Sequence, residues 1–262
     1  FGPGDVTSRS IISSSEHLVG EFLVKACGVI AGLGVVEEVF IQVDEEIVYT
    51  PLVEEGSDVA PGDVVARVAG DGPGITIAER TALNFLQRMS GIASATRRYV
   101  DAVKGTKARI LDTRKTAPGL RALDKLAVRL GGGTNHRHGL YDMALIKDNH
   151  ILAAGSIIEA VGRVRASLNN DLPIEVEVES LAQLGEALAL EVDRVMLDNM
   201  DAGCMREAVK NAAGVVELEA SGGITLENVA QVAATGVDYI SIGALTHSVE
   251  ALDVSLDITL VR

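Results

Sequence analysis

The chain has 262 residues, 47% of them hydrophobic and none of them tryptophan, and its formal charge is −14 at pH 7. This excess of acid opposes binding to a phosphate backbone, and an aromatic content of 3% leaves few side chains to stack on bases. No apolar run approaches a membrane span, and two distant cysteines suit a reducing compartment. We therefore expect a cytoplasmic globular protein that binds neither nucleic acid nor membrane.

The first part of the chain has the pattern of a small sheet domain. Across residues 18–68, short β-type runs such as 35–43 alternate with turn signals rich in Gly, Pro and Asp. A helical pattern follows over 79–103. Its apolar positions recur every three residues: Leu83, Leu86, Met89 and Ile92.

After residue 107 the pattern changes to short apolar runs, each followed by a helical stretch. There are six such runs: 110–111, 143–146, 174–178, 194–197, 215–218 and 239–242. Their spacing of roughly 20 to 35 residues is typical of successive strand-plus-helix units and predicts parallel strands. Such units form either an open doubly wound sheet or a closed barrel. Nearly every run ends in charged or glycine residues, which favours a barrel, because there all carboxyl ends of the strands face one opening.

The positive charge is concentrated in one segment. Residues 112–150 hold seven Lys or Arg against four acids, so the rest of the chain is strongly acidic. Three of the cations have the four-residue spacing of a solvated helix face: Arg121, Lys125 and Arg129. Four others adjoin an apolar run or a glycine-rich loop: Arg114, Lys115, Arg137 and Lys147. We expect this second group to meet an anion.

The residues at the predicted strand ends indicate a polyanionic substrate, a metal and a phosphate. The guanidinium groups of Arg114 and Arg137 match carboxylates through paired hydrogen bonds. Glu177 and Asp198 are oxygen ligands of the kind that Mg²⁺ shares with substrate phosphates. Backbone N–H groups at 221–223 and 242–244 can bind a phosphate, although a Gly-Gly pair after a strand is a plain turn at least as often. His136, beside Arg137 in a glycine-rich loop, is a further candidate for the site.

Eight motifs carry a resemblance to a known family along nearly the whole chain. They are GPGDVTS (2–8), ERTALNFLQRMSGIA (79–93), LDTRKTAPGLR (111–121), GGGTNHRHGLYDMALIKDNH (131–150), EVEVE (175–179), VMLDN (195–199), EASGGI (219–224) and ISIGALTHS (240–248). The sequence resembles the quinolinate phosphoribosyltransferases. This resemblance implies an α/β fold with a small N-terminal α/β sandwich domain, residues 1–106 joined by 250–262. It also implies an incomplete parallel α/β barrel, similar to a TIM barrel, over 107–249.

The resemblance also implies an activity and its partners. Quinolinate and phosphoribosyl pyrophosphate would give nicotinate mononucleotide, pyrophosphate and CO2, with Mg²⁺ as cofactor, in the biosynthesis of NAD. The implied quinolinate pocket comprises Arg114, His136, Arg137 and Lys147, with Arg80 reaching in from the partner subunit of a homodimer. The pocket would then be incomplete in a monomer.

The remaining implied roles concern the sugar and its phosphates. Lys115 would hold the pyrophosphate, next to Thr113 in the same motif, while Glu177 and Asp198 would hold the ribose hydroxyls and Mg²⁺. We expect Lys115, Glu177 and Asp198 to be the catalytic residues. The 5′-phosphate site and its neighbour His247 are implied at the last two loops: Ser221, Gly222, Gly223, Gly243, Ala244 and His247.

Two other functions stay open at this point. One is a related transferase acting on another acid, as for paralogues encoded in molybdenum operons. The other is a ligand sensor built on an inactive barrel, against which the intact Lys115, Lys147, Glu177 and Asp198 argue.

Overall fold

The computed structural model describes residues 4–13, 16–168 and 172–260. The chain divides into two compact units, the first made of residues 1–97, 122–132 and 248–262 and the second of residues 98–121 and 133–247. The domain bounds predicted above stay a prediction. Their outer ends at 1–3 and 261–262, with the first two residues of the GPGDVTS motif, lie outside the described residues.

The first unit is built on an antiparallel sheet with the strand order β12-β1-β5-β3. Its elements are α1 (Val6–Ile11), β1 (His17–Val24), β2 (Gly28–Val29), α2 (Leu33–Val43), β3 (Val48–Pro51), β4 (Asp58–Val59), β5 (Val64–Asp71), most of α3 (Gly72–Ala102), α4 (Arg121–Leu130) and β12 (Val254–Leu260). Strand β12 pairs with β1 along its whole length, so the end of the chain completes the sheet that the beginning starts.

Two expectations for this unit are wrong. The run 35–43, predicted as β-type, lies in helix α2, whose buried residues Leu33, Val36 and Phe40 follow helical spacing on one face. Lys125, predicted on a solvated face, is fully buried in α4. The predicted helix 79–103 is confirmed as α3, although it begins earlier, at Gly72.

The second unit is a parallel sheet of six strands with helices between them. Its elements are the last residues of α3, β6 (Arg109–Leu111), β7 (Ala144–Ile146), α5 (Asp148–Ala154), α6 (Ile157–Leu168), β8 (Ile174–Val178), α7 (Leu181–Leu188), β9 (Arg194–Asp198), α8 (Ala202–Ala212), β10 (Glu217–Ser221), α9 (Val229–Ala233), β11 (Tyr239–Ser241) and α10 (Ala244–His247). All six predicted strands are confirmed; the fifth begins at Glu217 rather than at Val215.

The strand order decides between the two predicted arrangements. Strands β7 to β11 pair in chain order, and the last of them, β11, pairs with β6, the first. An open doubly wound sheet would instead reverse its order at a switch point. Among the described residues β6 and β7 do not pair, and only a single parallel bridge joins Leu111 to Thr134. The sheet is therefore the predicted barrel, incomplete between β6 and β7.

Alternation along the barrel strands separates an apolar outer face from a polar inner one. Outward residues such as Val195, Leu197 and Ala220 are buried without exposure. The inward residues of β9 and β10 lie opposite each other: Arg194 by Glu217, Met196 by Glu219, and Asp198 by Ser221. Because side chains of a barrel stack in layers, the interior holds charged residues one above another.

None of the helices within the described ranges has the length and apolar character that crossing a bilayer requires.

Candidate active site

A cavity of about 680 Å³ opens at the carboxyl ends of the barrel strands. Its volume lies within the range of small-molecule sites. Among the residues that line it are fourteen of those predicted for the site: Thr113, Arg114, Lys115, His136, Arg137, Lys147, Glu177, Asp198, Ser221, Gly222, Gly223, Gly243, Ala244 and His247. They meet there because the end of every parallel strand delivers its residues to the same edge.

Arg80 is the one predicted site residue that does not line this cavity. It lies on α3 in the first unit and is exposed. Its predicted place in a partner's site stays a prediction.

Arg114 and Arg137 bring positive charge into a partly buried place. The Nε of Arg114 is buried without a hydrogen-bond partner among the described residues. Arg137 donates through Nη1 to the carbonyl of Met143 at 3.2 Å. Burial, and next the charge of Arg114, lower the pKa of Arg137. Two like charges that are desolvated together favour an anion between or beside them.

The predicted metal ligands already have protein partners. Glu177 at the end of β8 pairs with the Nζ of Lys147. Asp198 at the end of β9 accepts a hydrogen bond from the side-chain amide of Asn199 at 2.7 Å. Both carboxylates line the cavity, and Glu177 is only 10% exposed, so they add negative charge opposite the arginines.

The loop after β10 is shaped by a close backbone approach. Gly222 has φ of 95°, and a Cβ there would lie 2.1 Å from Oδ1 of Asn199. Asn199 itself has φ of 53° and donates its N–H to the carbonyl of Ser221 at 2.9 Å. Packing alone therefore requires glycine at 222. Gly223, with φ of 61°, has open space around it and faces the cavity.

The loop after β11 brings two basic side chains together. A Cβ on Gly243 would lie 3.2 Å from Cδ2 of His247 and 3.4 Å from Cδ of Lys115. Thr246 donates its hydroxyl to the carbonyl of Lys115 at 2.9 Å, which ties the β6 loop to α10. Lys115 is exposed, so its ammonium group is available at the cavity.

A buried cluster at the floor of the cavity includes two acids, Glu175 and Glu219, to which the sequence assigned no role. Nε2 of His136 lies 3.0 Å from Oε2 of Glu175 and 3.4 Å from Oε2 of Glu219. Both carboxylates are fully buried. Glu219 also accepts from the hydroxyl of Ser241 and lies 3.4 Å from Nη1 of Arg194. In the sequence, acids alternate along β8 and β10. This pattern indicates only that acids on the inner face need buried partners, and it does not identify those partners.

These contacts set the charge of the cluster. Burial would lower the pKa of His136, but Glu175 and Glu219 raise it to about 9. The N–H of Arg137 donates to Nδ1 of His136 at 2.7 Å, which favours a neutral ring. Two buried carboxylates outweigh this one backbone dipole. Burial and then the charge of Glu219 raise the pKa of Glu175 to about 7, whereas His136 and Ser241 lower that of Glu219 against the effect of its burial.

The fold and the cavity together define a barrel protein that binds a polyanionic small molecule at the carboxyl ends of its strands. Two family models match the chain: the N-terminal domain of quinolinate phosphoribosyl transferase over residues 5–90 and its C-terminal domain over residues 92–257. The chain belongs to the quinolinate phosphoribosyltransferase family.

Relatives and solved structures agree with this membership. The chain is 48% identical to the nicotinate-nucleotide pyrophosphorylase [carboxylating] of Mycobacterium leprae, covering 97% of this chain and 91% of the relative. Identity is 44% to the probable enzyme of that name from Bacillus subtilis, over 99% and 90%. The crystal structure of NadC from Streptococcus pyogenes superposes with a TM-score of 0.95 at 39% identity, over 98% and 92%.

The buried cluster predicts how stability depends on pH. Folding raises the pKa of His136 from 6.5 to about 9, so its contribution is complete below pH 6.5 and is lost as pH rises through about 9. Folding raises the pKa of Glu175 from 4.5 to about 7, so its contribution to stability is also lost as pH rises, but through about pH 7. We expect the free energy of unfolding to fall by roughly 2–3 kcal/mol between pH 6.5 and 9. Urea denaturation at a series of pH values measures it.

Two variants separate His136 from other titrating groups. His136→Gln should lose most of this fall, whereas His138→Gln, at an exposed position of the same loop, should keep it. A wild-type curve that is flat over this range would contradict the assignment.

Proposed function

We propose that the protein transfers the phosphoribosyl group of phosphoribosyl pyrophosphate to quinolinate and releases CO2, giving nicotinate mononucleotide and pyrophosphate. The observation that carries this proposal is the presence, in one cavity, of two half-buried arginines, a lysine and two glycine-containing loops. A dicarboxylate needs the arginines, and a sugar phosphate needs the glycine-containing loops and the lysine beside them. Family membership supplies the identity of the substrates.

The pocket for the dicarboxylate is formed by Arg114, Arg137 and Lys147. A guanidinium group binds a carboxylate through two parallel hydrogen bonds, and the buried Nε of Arg114 has such a donor to offer. Nicotinate, with one carboxylate fewer, would leave part of this desolvated charge unpaired. The pocket therefore favours the dicarboxylate over the monocarboxylate.

The reaction needs positioning more than a covalent nucleophile. The bond from C1′ of the ribose to pyrophosphate breaks, positive charge develops on the sugar, and the pyridine nitrogen forms the new bond. Lys115 stabilises the departing pyrophosphate, and the loops at 221–223 and 243–244 hold the 5′-phosphate with His247 nearby. Holding two reactants in place can contribute roughly 7–11 kcal/mol.

Loss of CO2 follows from the new bond between the pyridine nitrogen and C1′ of the ribose. The C–C bond to the carboxylate at the neighbouring carbon breaks, its electron pair stays on that ring carbon, and the adjacent cationic nitrogen stabilises this pair. A proton from water then replaces CO2 on that carbon. No group on the protein has to be oxidised or reduced in this step.

Glu177 and Asp198 fit a magnesium ion by the chemistry of their donors. Both are carboxylates at neighbouring strand ends and line the cavity, which has room for water and substrate oxygens. A bound Mg²⁺ would neutralise charge on the pyrophosphate. The two residues would also accept hydrogen bonds from the ribose hydroxyls, and Lys147 keeps Glu177 in place.

Two further parts of the proposal concern assembly and location. Arg80 would enter the active site of the partner subunit in a homodimer, as the family resemblance implies. The protein would act in the cytoplasm, with no nucleic acid or membrane as its partner.

Turnover tests the proposed function directly. The wild-type protein should convert quinolinate and phosphoribosyl pyrophosphate to nicotinate mononucleotide, detected by mass, with one CO2 per product and only in the presence of Mg²⁺. Arg137→Ala should lower kcat/KM for quinolinate at least tenfold, because one of the three cations that bind the substrate's carboxylates is lost. Arg163→Ala serves as control, since Arg163 is an exposed residue of α6.

The other outcomes identify the rival functions. Turnover of a different acid without CO2 release would indicate a related transferase. Binding of quinolinate without turnover, with Mg²⁺ and donor present, would indicate a ligand sensor.

The shared site predicts complementation between two inactive variants. Arg80→Ala and Lys115→Ala homodimers should each lose at least tenfold in kcat. Mixed after unfolding and refolding together, they should regain up to about a quarter of wild-type activity, because half of the dimers then hold one site without either change. Activity of the mixture equal to the average of the two separate variants would show that Arg80 does not act across subunits.

A further inference from the structure

The buried cluster of His136, Glu175 and Glu219 is held together by contacts between protein groups, without a substrate. His136 is held at both ring nitrogens: Nε2 by Glu175 and Glu219, and Nδ1 by the N–H of Arg137. Its own N–H donates to Oδ1 of Asp112 at 2.8 Å. The ring is thus contacted by acids from β8 and β10, and the backbone N–H of the same residue is bound by Asp112 after β6.

The contact with Arg137 connects this cluster to the cavity. Nδ1 of His136 lies 2.7 Å from the backbone N of Arg137, so the ring packs directly against the backbone of the residue that follows it. The guanidinium of Arg137 lines the cavity and lies close enough to Arg114 for their charges to interact. A change in the orientation of His136 would thus displace an arginine of the pocket.

Glu219 connects the ring to the opposite end of the barrel interior. Arg194, at the start of β9, lies 3.4 Å from it and places its guanidinium 3.9 Å from the centre of the Tyr239 ring. Arg194 is also 3.0 Å from Glu217, which is half exposed. Arg194 is thus itself fixed on two sides, and it holds Glu219 against movement.

The space between the two carboxylates is filled by protein groups and not by an ion. His136, Glu175 and Glu219 have donor atoms within 4.8 Å of one another, as a metal site would. However, Nε2 of His136 lies between the two carboxylates, and Arg194 already lies against Glu219. A buried carboxylate with such a partner stays in place because leaving it unpaired is costly.

We propose that Glu219 is a positioning residue for the dicarboxylate pocket: held by Arg194 and Ser241, it fixes His136, and His136 fixes Arg137. This role rests on the proposed function for its substrate, but the positioning itself does not depend on it. Glu219 is buried at the floor of the cavity, and in this role it acts through His136.

The direction of the effect separates positioning from simple electrostatics. Removing a buried negative charge beneath an anion pocket would by field alone strengthen dianion binding and lower KM. Positioning predicts the opposite. Glu219→Gln should raise KM for quinolinate at least tenfold and leave kcat and KM for phosphoribosyl pyrophosphate within threefold. Glu186→Gln, which changes an exposed acid of α7 outside this network, is the matched control.

A double-mutant cycle tests whether Glu219 acts through His136. In a His136→Asn background, Glu219→Gln should change KM for quinolinate less than twofold. Two effects that simply multiply would overturn the proposal, as would a fall of KM in the single variant. Ser241→Ala, which keeps every charge and removes one donor to Glu219, gives an intermediate increase and serves if Glu219→Gln does not fold.

A measurement without substrate makes the result independent of the proposed function. With ¹⁵N-labelled histidine, the Nε2 proton of His136 should give a signal protected from solvent exchange in the wild-type protein. Its exchange should be at least tenfold faster in Glu219→Gln and unchanged in Glu186→Gln. Equal exchange in all three proteins would refute the positioning role even if turnover of quinolinate is observed. If quinolinate is not turned over, the exchange rate of this proton alone tests the positioning role of Glu219.

Discussion

The pairing of β11 with β6 is the constraint on which the rest of the second unit depends. It places the first of the six parallel strands beside the last, so that they curve into a barrel that is incomplete between β6 and β7. One side of each strand then faces the interior, and the carboxyl ends face one opening. Arg114, Lys147 and Asp198, which lie far apart in the sequence, meet in one cavity for this reason. Without that pairing the same strands would form an open sheet, whose residues meet only near a switch point.

Inside the ring, charge is layered. Arg194 lies opposite Glu217 near the amino ends of β9 and β10, Glu219 lies opposite Met196 and Tyr239, and Asp198 lies opposite Ser221 at the cavity. A barrel interior filled with apolar side chains would be more stable, because desolvating carboxylates costs more than burying methyl groups. The polar interior instead holds His136, the neighbour of Arg137 in the cavity, between two buried carboxylates. An overall acidic protein can in this way present a local positive field to an anionic substrate.

The sequence predicted the barrel well, because strand ends marked by charge and glycine carry a signal that does not depend on exact boundaries. Most of the site followed from the same signal. Helix α2 was missed because its β-branched residues satisfy a strand pattern locally, and only the burial of Val36 and Phe40 reveals the helical face. The roles of Glu175, Glu219 and Arg194 were missed for a different reason. Alternation shows that they share the interior, but the distance between β8 and β10 across the ring is a property of the fold.

The most direct test of this account is a crystal structure of the protein with quinolinate and a phosphoribosyl phosphate analogue bound together. The account predicts one carboxylate within hydrogen-bond distance of Arg114 or Arg137, the 5′-phosphate against residues 221–223 and 243–244, and His136 still bound to Glu175 and Glu219. Quinolinate bound outside the barrel opening, or a His136 ring turned away from both carboxylates to bind it, would contradict the account.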